Sequence, residues 1–386
     1  MSAALTPVDV VGGGVRAAGI LHFEPSPSGG HSLHRLPAWT MPQVVDPALL
    51  IIRGMPSGCR FEMVTDATVI ELEVQLTILQ LNDQPGPGAS FDLVIDGELV
   101  ANQVTRDGTL IVIDMESGSF DFQPGGPATL RFDGLPAGEK LVELWLPNAA
   151  VVDLIQLRTD GSVAPAPATK PQWVHYGSSI SHCVEATRPT GVWPAVAARL
   201  AGVDLQSLGF GGQCHLDGFT ARTIRDLPAD MISCKLGINI VNGDTMRERT
   251  FLPAVHNLLD TIREGHPDTP VVLITPIWCP NHEDGFGPSL FRDGICTSAV
   301  REPELSVGSL NLKRIRQLEA DIVAARRAKG DEHLHLMSGL DLFGPDDEAD
   351  LPDLLHPNPA GYQRMGERFH ALAFGPGGPF AHLVPS

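Results

Sequence analysis

A chain of 386 residues with 43% hydrophobic and 19% charged side chains has the composition of a globular protein. At roughly 150 residues per domain it has length for about two or three domains. Its 27 basic against 46 acidic residues leave a net charge of −19, which repels phosphate backbones and anionic lipid headgroups and so argues against nucleic acid or a membrane as partner. Its six cysteines (Cys59, Cys183, Cys214, Cys234, Cys279, Cys296) include no C-x-x-C pair, so a zinc knuckle or thioredoxin-type site is not expected and free buried thiols are.

Residues 1–21 lack a basic stretch followed by a long apolar one, and no apolar run reaches the roughly 18 residues of a membrane helix, so a soluble, cytoplasmic protein is expected. Gly12-Gly13-Gly14 has no strand–helix context and reads as a loop. Over residues 68–79, Ile70, Leu72, Val74, Leu76 and Ile78 alternate with Glu71, Glu73, Gln75 and Thr77, the period of a half-buried strand. Strand-like runs follow at 91–95, 110–113, 129–132 and 141–146, two of them ended by the turn pairs Asp96-Gly97 and Asp133-Gly134. No helical stripe interrupts them. An antiparallel β-sandwich, jelly-roll-like, is therefore expected over residues 1–163.

Residues 164–172 (APAPATKPQ) hold three prolines and almost no large apolar side chain, and read as an extended connector. Beyond it, over 173–386, strands and helices alternate. Strands are predicted at 173–176, 203–208, 231–236, 271–275 and 334–337, and helices at 193–201, 218–226, 251–263, 310–328 and from 359 to about 372. Such alternation means a parallel sheet with helices on both faces, a three-layer α/β/α domain with its site at the carboxyl ends of the strands. In the helix over 310–328, Leu312, Ile315, Leu318, Ile322 and Ala325 share one face, while Lys313, Arg314, Arg316 and Arg326 fall mostly elsewhere and read as solvated.

Four short stretches stand at strand ends or before the last helix: Tyr176-Gly177-Ser178-Ser179-Ile180-Ser181, Leu208-Gly209-Phe210-Gly211-Gly212-Gln213, Leu236-Gly237-Ile238-Asn239 and Asp353-Leu354-Leu355-His356-Pro357-Asn358. Together they offer the parts of an acyl-transfer site. A serine hydroxyl becomes nucleophilic when an imidazole takes its proton, and a carboxylate on the other ring nitrogen fixes the tautomer; Ser179, His356 and Asp353 can supply these. The backbone N–H groups of Ser179 and Gly212 and the side-chain amide of Asn239 are candidate oxyanion donors. Asn358-Pro359 reads as a helix cap followed by proline at the first helical position.

These stretches, in this order, resemble the SGNH hydrolase superfamily, also called the GDSL esterases and lipases, over roughly residues 172–375. The resemblance implies Ser179 as nucleophile, Gly212 and Asn239 as oxyanion donors, His356 as base and Asp353 as its orienting acid. Ser178 stands where the family's first block has Asp, leaving two adjacent serines of which alignment favours Ser179, and Ile240 stands where many members have a second Asp. The α/β-hydrolase elbow G-x-S-x-G is absent.

The expectation is a serine esterase without cofactor or metal, acting on a small acyl ester. The preceding β-domain, as in some carbohydrate acetyl esterases, suggests a saccharide or polyol. Alternatives are a thioesterase or acyltransferase of the same fold, and a carbohydrate-binding protein without activity. Trp278 and Arg247 are candidate substrate contacts; packing explains Trp278 with Cys279 and His282 equally well, as helix-end ion pairs explain Arg247 and Arg249. His333-x-His335 reads as structural rather than metal-binding.

Overall fold

The computed structural model describes residues 4–81, 88–114 and 119–384, so the outer bounds expected for the two domains, residues 1 and 386, lie outside it. The chain forms two compact units, Met1–Thr169 with Ala186–Gly191, and Lys170–Glu185 with Val192–Ser386.

In the first unit the alternating run becomes the strand Ile70–Leu81, with Ile70, Leu72, Val74, Leu76 and Ile78 buried and the intervening residues partly exposed. Arg131 and Arg158 stand opposite Glu71 on the two neighbouring strands and pair with it. Eight strands form this sheet, in the order Phe120–Gln123, Thr109–Ile113, Ile70–Leu81, Ala150–Thr159, His31–His34, His22–Pro25, with Thr6–Val8 and Ala128–Phe132 beside it. A six-stranded sheet runs Val163–Pro165, Arg60–Thr65, Lys140–Trp145, Ala89–Ile95, Glu98–Thr105, with Arg16–Ala18 beside Arg60–Thr65. One apolar cluster draws on both sheets, including Leu72, Val74 and Val152 from the first and Phe61, Phe91 and Leu144 from the second, which makes the unit a sandwich.

Two details depart from the expected pattern. Ile70–Leu81 pairs with Thr109–Ile113 in parallel, which the long intervening passage through the other sheet permits. Residues 164 and 165, read as connector, belong to the strand Val163–Pro165; Pro165 is tolerated there because the strand lies at a sheet edge, where its missing N–H breaks no interior ladder.

The second unit is built from β1 (Gln172–Gly177), α1 (Ser179–His182), α2 (Trp193–Ala201), β2 (Asp204–Gly209), α3 (Gly218–Asp226), β3 (Met231–Lys235), α4 (Ile238–Gly243), α5 (Glu248–Gly265), β4 (Val271–Ile274), α6 (Leu312–Arg327), β5 (Leu334–Met337) and α7 (Pro359–Phe369). The strands form one parallel sheet in the order β2-β1-β3-β4-β5. Helix α2 packs with α7, and α5 with α3 and α6, giving the helical layers of an α/β/α domain. Strand order reverses between β1 and β3, and the loops leaving their carboxyl ends are where such sheets place a site.

The α6 face departs from expectation near its end: Val323 is buried and Ala325 exposed, and Glu319 is fully buried. Nor is Arg316 simply solvated, since its guanidinium binds both Glu283 oxygens and the carbonyls of Pro276 and Ile277. A hairpin, Ser289–Arg292 with Ile295–Ser298, lies between β4 and α6. Among the described residues no helix is long and apolar enough to cross a membrane.

Candidate active site

The site begins with the way β1 ends. Ser178 caps α1, its Oγ accepting the N–H of Ile180 at 3.3 Å, and α1 stops after one turn where Cys183 turns left-handed at φ 58°. A Cβ on Gly177 would fall 2.2 Å from Ser181 Oγ, and one on Gly209 2.6 Å from the Ser181 carbonyl carbon. Both positions must be glycine for α1 to sit this close to β1 and β2.

A buried polar chain supports α1 from below. Trp173 Nε1–H donates to Ser233 Oγ at 2.9 Å, Ser233 Oγ is 2.7 Å from His175 Nδ1, and His175 Nε2 is 2.8 Å from Ser181 Oγ. Indole is a donor only, so Ser233 Oγ accepts from Trp173, and the His175 ring bridges Ser233 and Ser181 through its two nitrogens. Burial, and then the charge of Lys235, push the His175 pKa down to about 3.

On this platform His356 Nε2 lies 2.9 Å from Ser179 Oγ, although the residues are 177 positions apart, and His356 Nδ1 lies 2.7 Å from Asp353 Oδ2. The other Asp353 oxygen accepts the backbone N–H of Leu355 at 2.9 Å and of His356 at 2.7 Å. A single turn, with Leu354 at φ 61°, thus presents both groups, and Asn358 caps α7 directly behind it by accepting from Gly361 N–H. Ser178 is fully buried and occupied by its capping bond, so Ser179 is the serine that meets the imidazole.

The electrostatics suit proton transfer. Burial pushes the Asp353 carboxyl up, but the hydrogen bond and charge of His356 and two backbone N–H groups outweigh it, and the net shift is downward. Burial pulls His356 down, yet Glu185 and Asp353 raise it by more, against Lys235, and the net shift is upward from 6.5. In the neutral ring with its hydrogen on Nδ1 facing Asp353, Nε2 is the nitrogen that can accept a proton from Ser179.

Of the candidate oxyanion donors, Ser179 opens α1, Gly212 lies in the loop after β2 and Asn239 is in the first turn of α4. Phe210 N–H donates to Gly177 O at 2.9 Å, and Gly211 N–H to His182 Nδ1 at 3.4 Å. Gly212 takes φ 70°, a conformation that calls for glycine although space around it is open. Cys214 N–H donates to Asn239 Oδ1 at 3.0 Å, which fixes the amide and leaves Nδ2–H as its free end for donation.

Trp278 and Arg247 make other contacts. The Trp278 indole donates to Glu348 at 2.8 Å, while Arg247 bonds Ser309 and lies 3.6 Å from Asp244 at the start of α5. Among the described residues neither is hydrogen-bonded or ion-paired to Ser179, Asp353 or His356. Arg249 is exposed, and His282 bonds Ser289 of the hairpin at 2.7 Å. Cys279 and Cys296 brace the triad loop instead: Cys279 Sγ–H donates to Leu354 O at 3.2 Å, and Cys296 N–H to Asp353 O at 2.9 Å. All six cysteines are buried and none is in a disulfide, and among the described residues no three His, Cys, Asp or Glu side chains are grouped to hold a metal.

Two residues at the site escaped the sequence reading, Glu185 and Tyr362. Tyr362 Oη–H donates to Glu185 at 2.7 Å, and Glu185 lies 3.8 Å from His356 Nδ1. A usable signal existed in the composition: the chain has only 2 tyrosines, and both Tyr176 and Tyr362 are buried in this unit with their hydroxyls bonded.

Residues 175–364 match the GDSL-like Lipase/Acylhydrolase family. Among curated proteins none matches the chain. Among solved structures, the salicylyl-acyltransferase SsfX3 from a tetracycline biosynthetic pathway is 28% identical over 92% of each chain, with a TM-score of 0.74. A family two carbohydrate esterase from Clostridium thermocellum is 15% identical over 97% of this chain and 99% of its own, with a TM-score of 0.58. Another from Cellvibrio japonicus is 13% identical over 95% and 96%, with a TM-score of 0.56. At such identities the two esterases speak for the shared fold. The order of four loop motifs and the match that spans them point the same way: residues 175–364 are a domain that matches the GDSL-like lipase/acylhydrolase family.

Proposed function

We propose that the protein is a serine ester hydrolase that forms an acyl-enzyme on Ser179. The observation that carries this reading is the continuous line from Ser179 Oγ to His356 Nε2 at 2.9 Å and from His356 Nδ1 to Asp353 at 2.7 Å. In the first step Ser179 Oγ attacks the ester carbonyl carbon while its proton passes to Nε2. The carbonyl π pair moves onto oxygen, where the N–H groups of Ser179 and Gly212 and the Asn239 amide receive it. Collapse breaks the bond to the alcohol, which leaves with the proton from Nε2. Water then attacks the acyl-enzyme carbon and gives a proton to the same nitrogen; collapse breaks the acyl–Oγ bond, Ser179 Oγ takes that proton back from Nε2, and the acid is released. Asp353 stays ionised throughout and stabilises the imidazolium. No step calls on a cofactor.

For the substrate we infer a small, acetyl-type acyl group on a saccharide or polyol. Support comes from the two-domain fold shared with the family two carbohydrate esterases along nearly the whole chain. A second reading, transfer of the acyl group to an alcohol other than water, is favoured by the likeness to SsfX3 at 28% identity.

One experiment tests both readings. The purified protein and Ser179→Ala are assayed with p-nitrophenyl acetate, longer-chain esters and acetylated oligosaccharides, with and without added alcohols. Hydrolysis abolished by Ser179→Ala and strongest on acetyl esters is expected. Equal turnover by the variant overturns the mechanism, and ester products in the presence of alcohols move the assignment to acyl transfer.

A further inference from the structure

The ring of His356 meets two carboxylates, and only one comes from its own loop. Asp353 Oδ2 lies 2.7 Å from Nδ1, within hydrogen-bonding distance. Glu185, in the segment that leaves α1, brings Oε1 to 3.8 Å from the same nitrogen, too far for a hydrogen bond and near enough for a strong charge interaction. Its position is held. Tyr362, a fully buried residue of α7, donates its hydroxyl proton to Glu185 Oε2 at 2.7 Å.

The groups around the ring come from five elements. Ser179 approaches from α1, Asp353 from the preceding turn, Glu185 from the segment after α1, Tyr362 through Glu185 from α7, and Lys235 acts from β3 in the opposite electrostatic sense. The Glu185 side chain is 34% exposed, so part of its field is screened, whereas Tyr362 is buried and so holds the carboxylate in a set direction.

Resting on the esterase reading above, we propose that Glu185 is a second carboxylate of the site, a positioning residue that stabilises the imidazolium of His356 and partly replaces Asp353 when Asp353 cannot serve. The proton balance is unchanged: one proton moves from Ser179 Oγ to Nε2, Nδ1 keeps its own, and neither carboxylate takes one. The charge of Glu185 is among the causes that raise the His356 pKa, in keeping with this role.

The test uses the full-length protein with labelled histidine, the His356 ring being assigned by its loss in His356→Gln. In Glu185→Gln, which keeps the bulk and an oxygen for Tyr362, the His356 titration shifts down by about one unit. The acid limb of kcat/KM follows it to lower pH, with KM little changed. Asp353→Asn keeps measurable turnover, and adding Glu185→Gln lowers that remainder by about tenfold. Superimposable titrations of parent and Glu185→Gln, with no further loss in the double variant, overturn the proposal. Should Glu185→Gln fail to fold by circular dichroism, Tyr362→Phe, which frees the carboxylate, is expected to shift the titration in the same direction, and no shift there overturns the proposal equally. The ring titration needs no substrate, so it stands apart from the Ser179→Ala assay on which the esterase reading depends.

Discussion

His356 has to be neutral to accept the Ser179 proton, and burial, Glu185 and Asp353 together leave its pKa raised above 6.5. A raised pKa means that the active form is lost as pH falls through that value. The acid limb of kcat/KM is therefore expected to have its midpoint above pH 6.5, which a pH–rate profile measures. At Asn239 the amide oxygen is already engaged by Cys214 N–H, so Asn239→Ala removes both a brace and a candidate oxyanion donor. A fall in kcat of about 10²–10³ with a smaller change in KM is expected from steady-state kinetics. Gly177→Ala places a methyl group 2.2 Å from Ser181 Oγ and forces α1 away from the sheet. A loss of about 1–3 kcal/mol in denaturant titrations and a drop in turnover of about 100-fold are expected together. Residue types and their order already marked Ser179, Asp353 and His356, because acyl-transfer chemistry uses few side chains. Alignment favoured Ser179 over Ser178, and the cap supplies a physical reason for that preference: one hydroxyl turns back to Ile180 N–H and the other meets the ring.

Among the elements, α6 shows how far periodicity reaches. Its core stripe was readable at Leu312, Ile315, Leu318 and Ile322, but a stripe read by spacing says nothing of Glu319, which is fully buried within reach of the Lys235 charge on β3. Neither Glu319 carboxyl oxygen nor Lys235 Nζ has a hydrogen-bond partner among the described residues. Burial raises the Glu319 pKa well above 4.5, against the pull of Lys235 and Arg316, and pushes Lys235 down to about 8. An acid whose folded pKa is raised contributes fully to stability below its unfolded value and loses that contribution as pH rises toward the folded one. Glu319→Gln removes this loss, so its Tm is expected to gain on that of the parent steadily from about pH 5 to 8, as thermal unfolding at several pH values measures. The hairpin at 289–298 went unread because its strands are short and do not alternate. Its turn pair Asp293-Gly294, both at positive φ (50° and 77°), carried the same signal that was used at Asp96-Gly97. The strand Arg60–Thr65 also went unread: Arg60 and Glu62 alternate with Phe61 and Met63, but the run is only six residues long and its charged side chains are buried along with the apolar ones.

For the molecule as a whole, the chain passes between its two units at 169/170, at 185/186 and at 191/192. Ala186–Gly191, which leaves the candidate site directly after Glu185, is part of the first unit. There the fully buried Asp92 accepts both the backbone N–H of Thr190 at 3.0 Å and its hydroxyl proton at 2.6 Å, and Asn148 donates to Ala186 O at 3.2 Å. Hydrogen bonds to a buried charge are worth roughly 1.5–3 kcal/mol each. Asp92→Ala is expected to lower stability by about 3 kcal/mol and to speed protease cleavage within 186–191, measured by urea titration and limited proteolysis. The sequence by itself determined the two kinds of layer, the run of strands and helices in the second unit, and the residue types that the candidate chemistry uses, because burial periodicity and turn chemistry act over a few neighbouring positions. Only the tertiary structure decided which partners meet: His356 with Ser179, Tyr362 with Glu185, each 177 positions apart, and Thr190 with Asp92, 98 apart. The first two meetings follow from the strand order β2-β1-β3-β4-β5, and all three from close packing of side chains, which are properties of the assembled chain rather than of any short stretch of it.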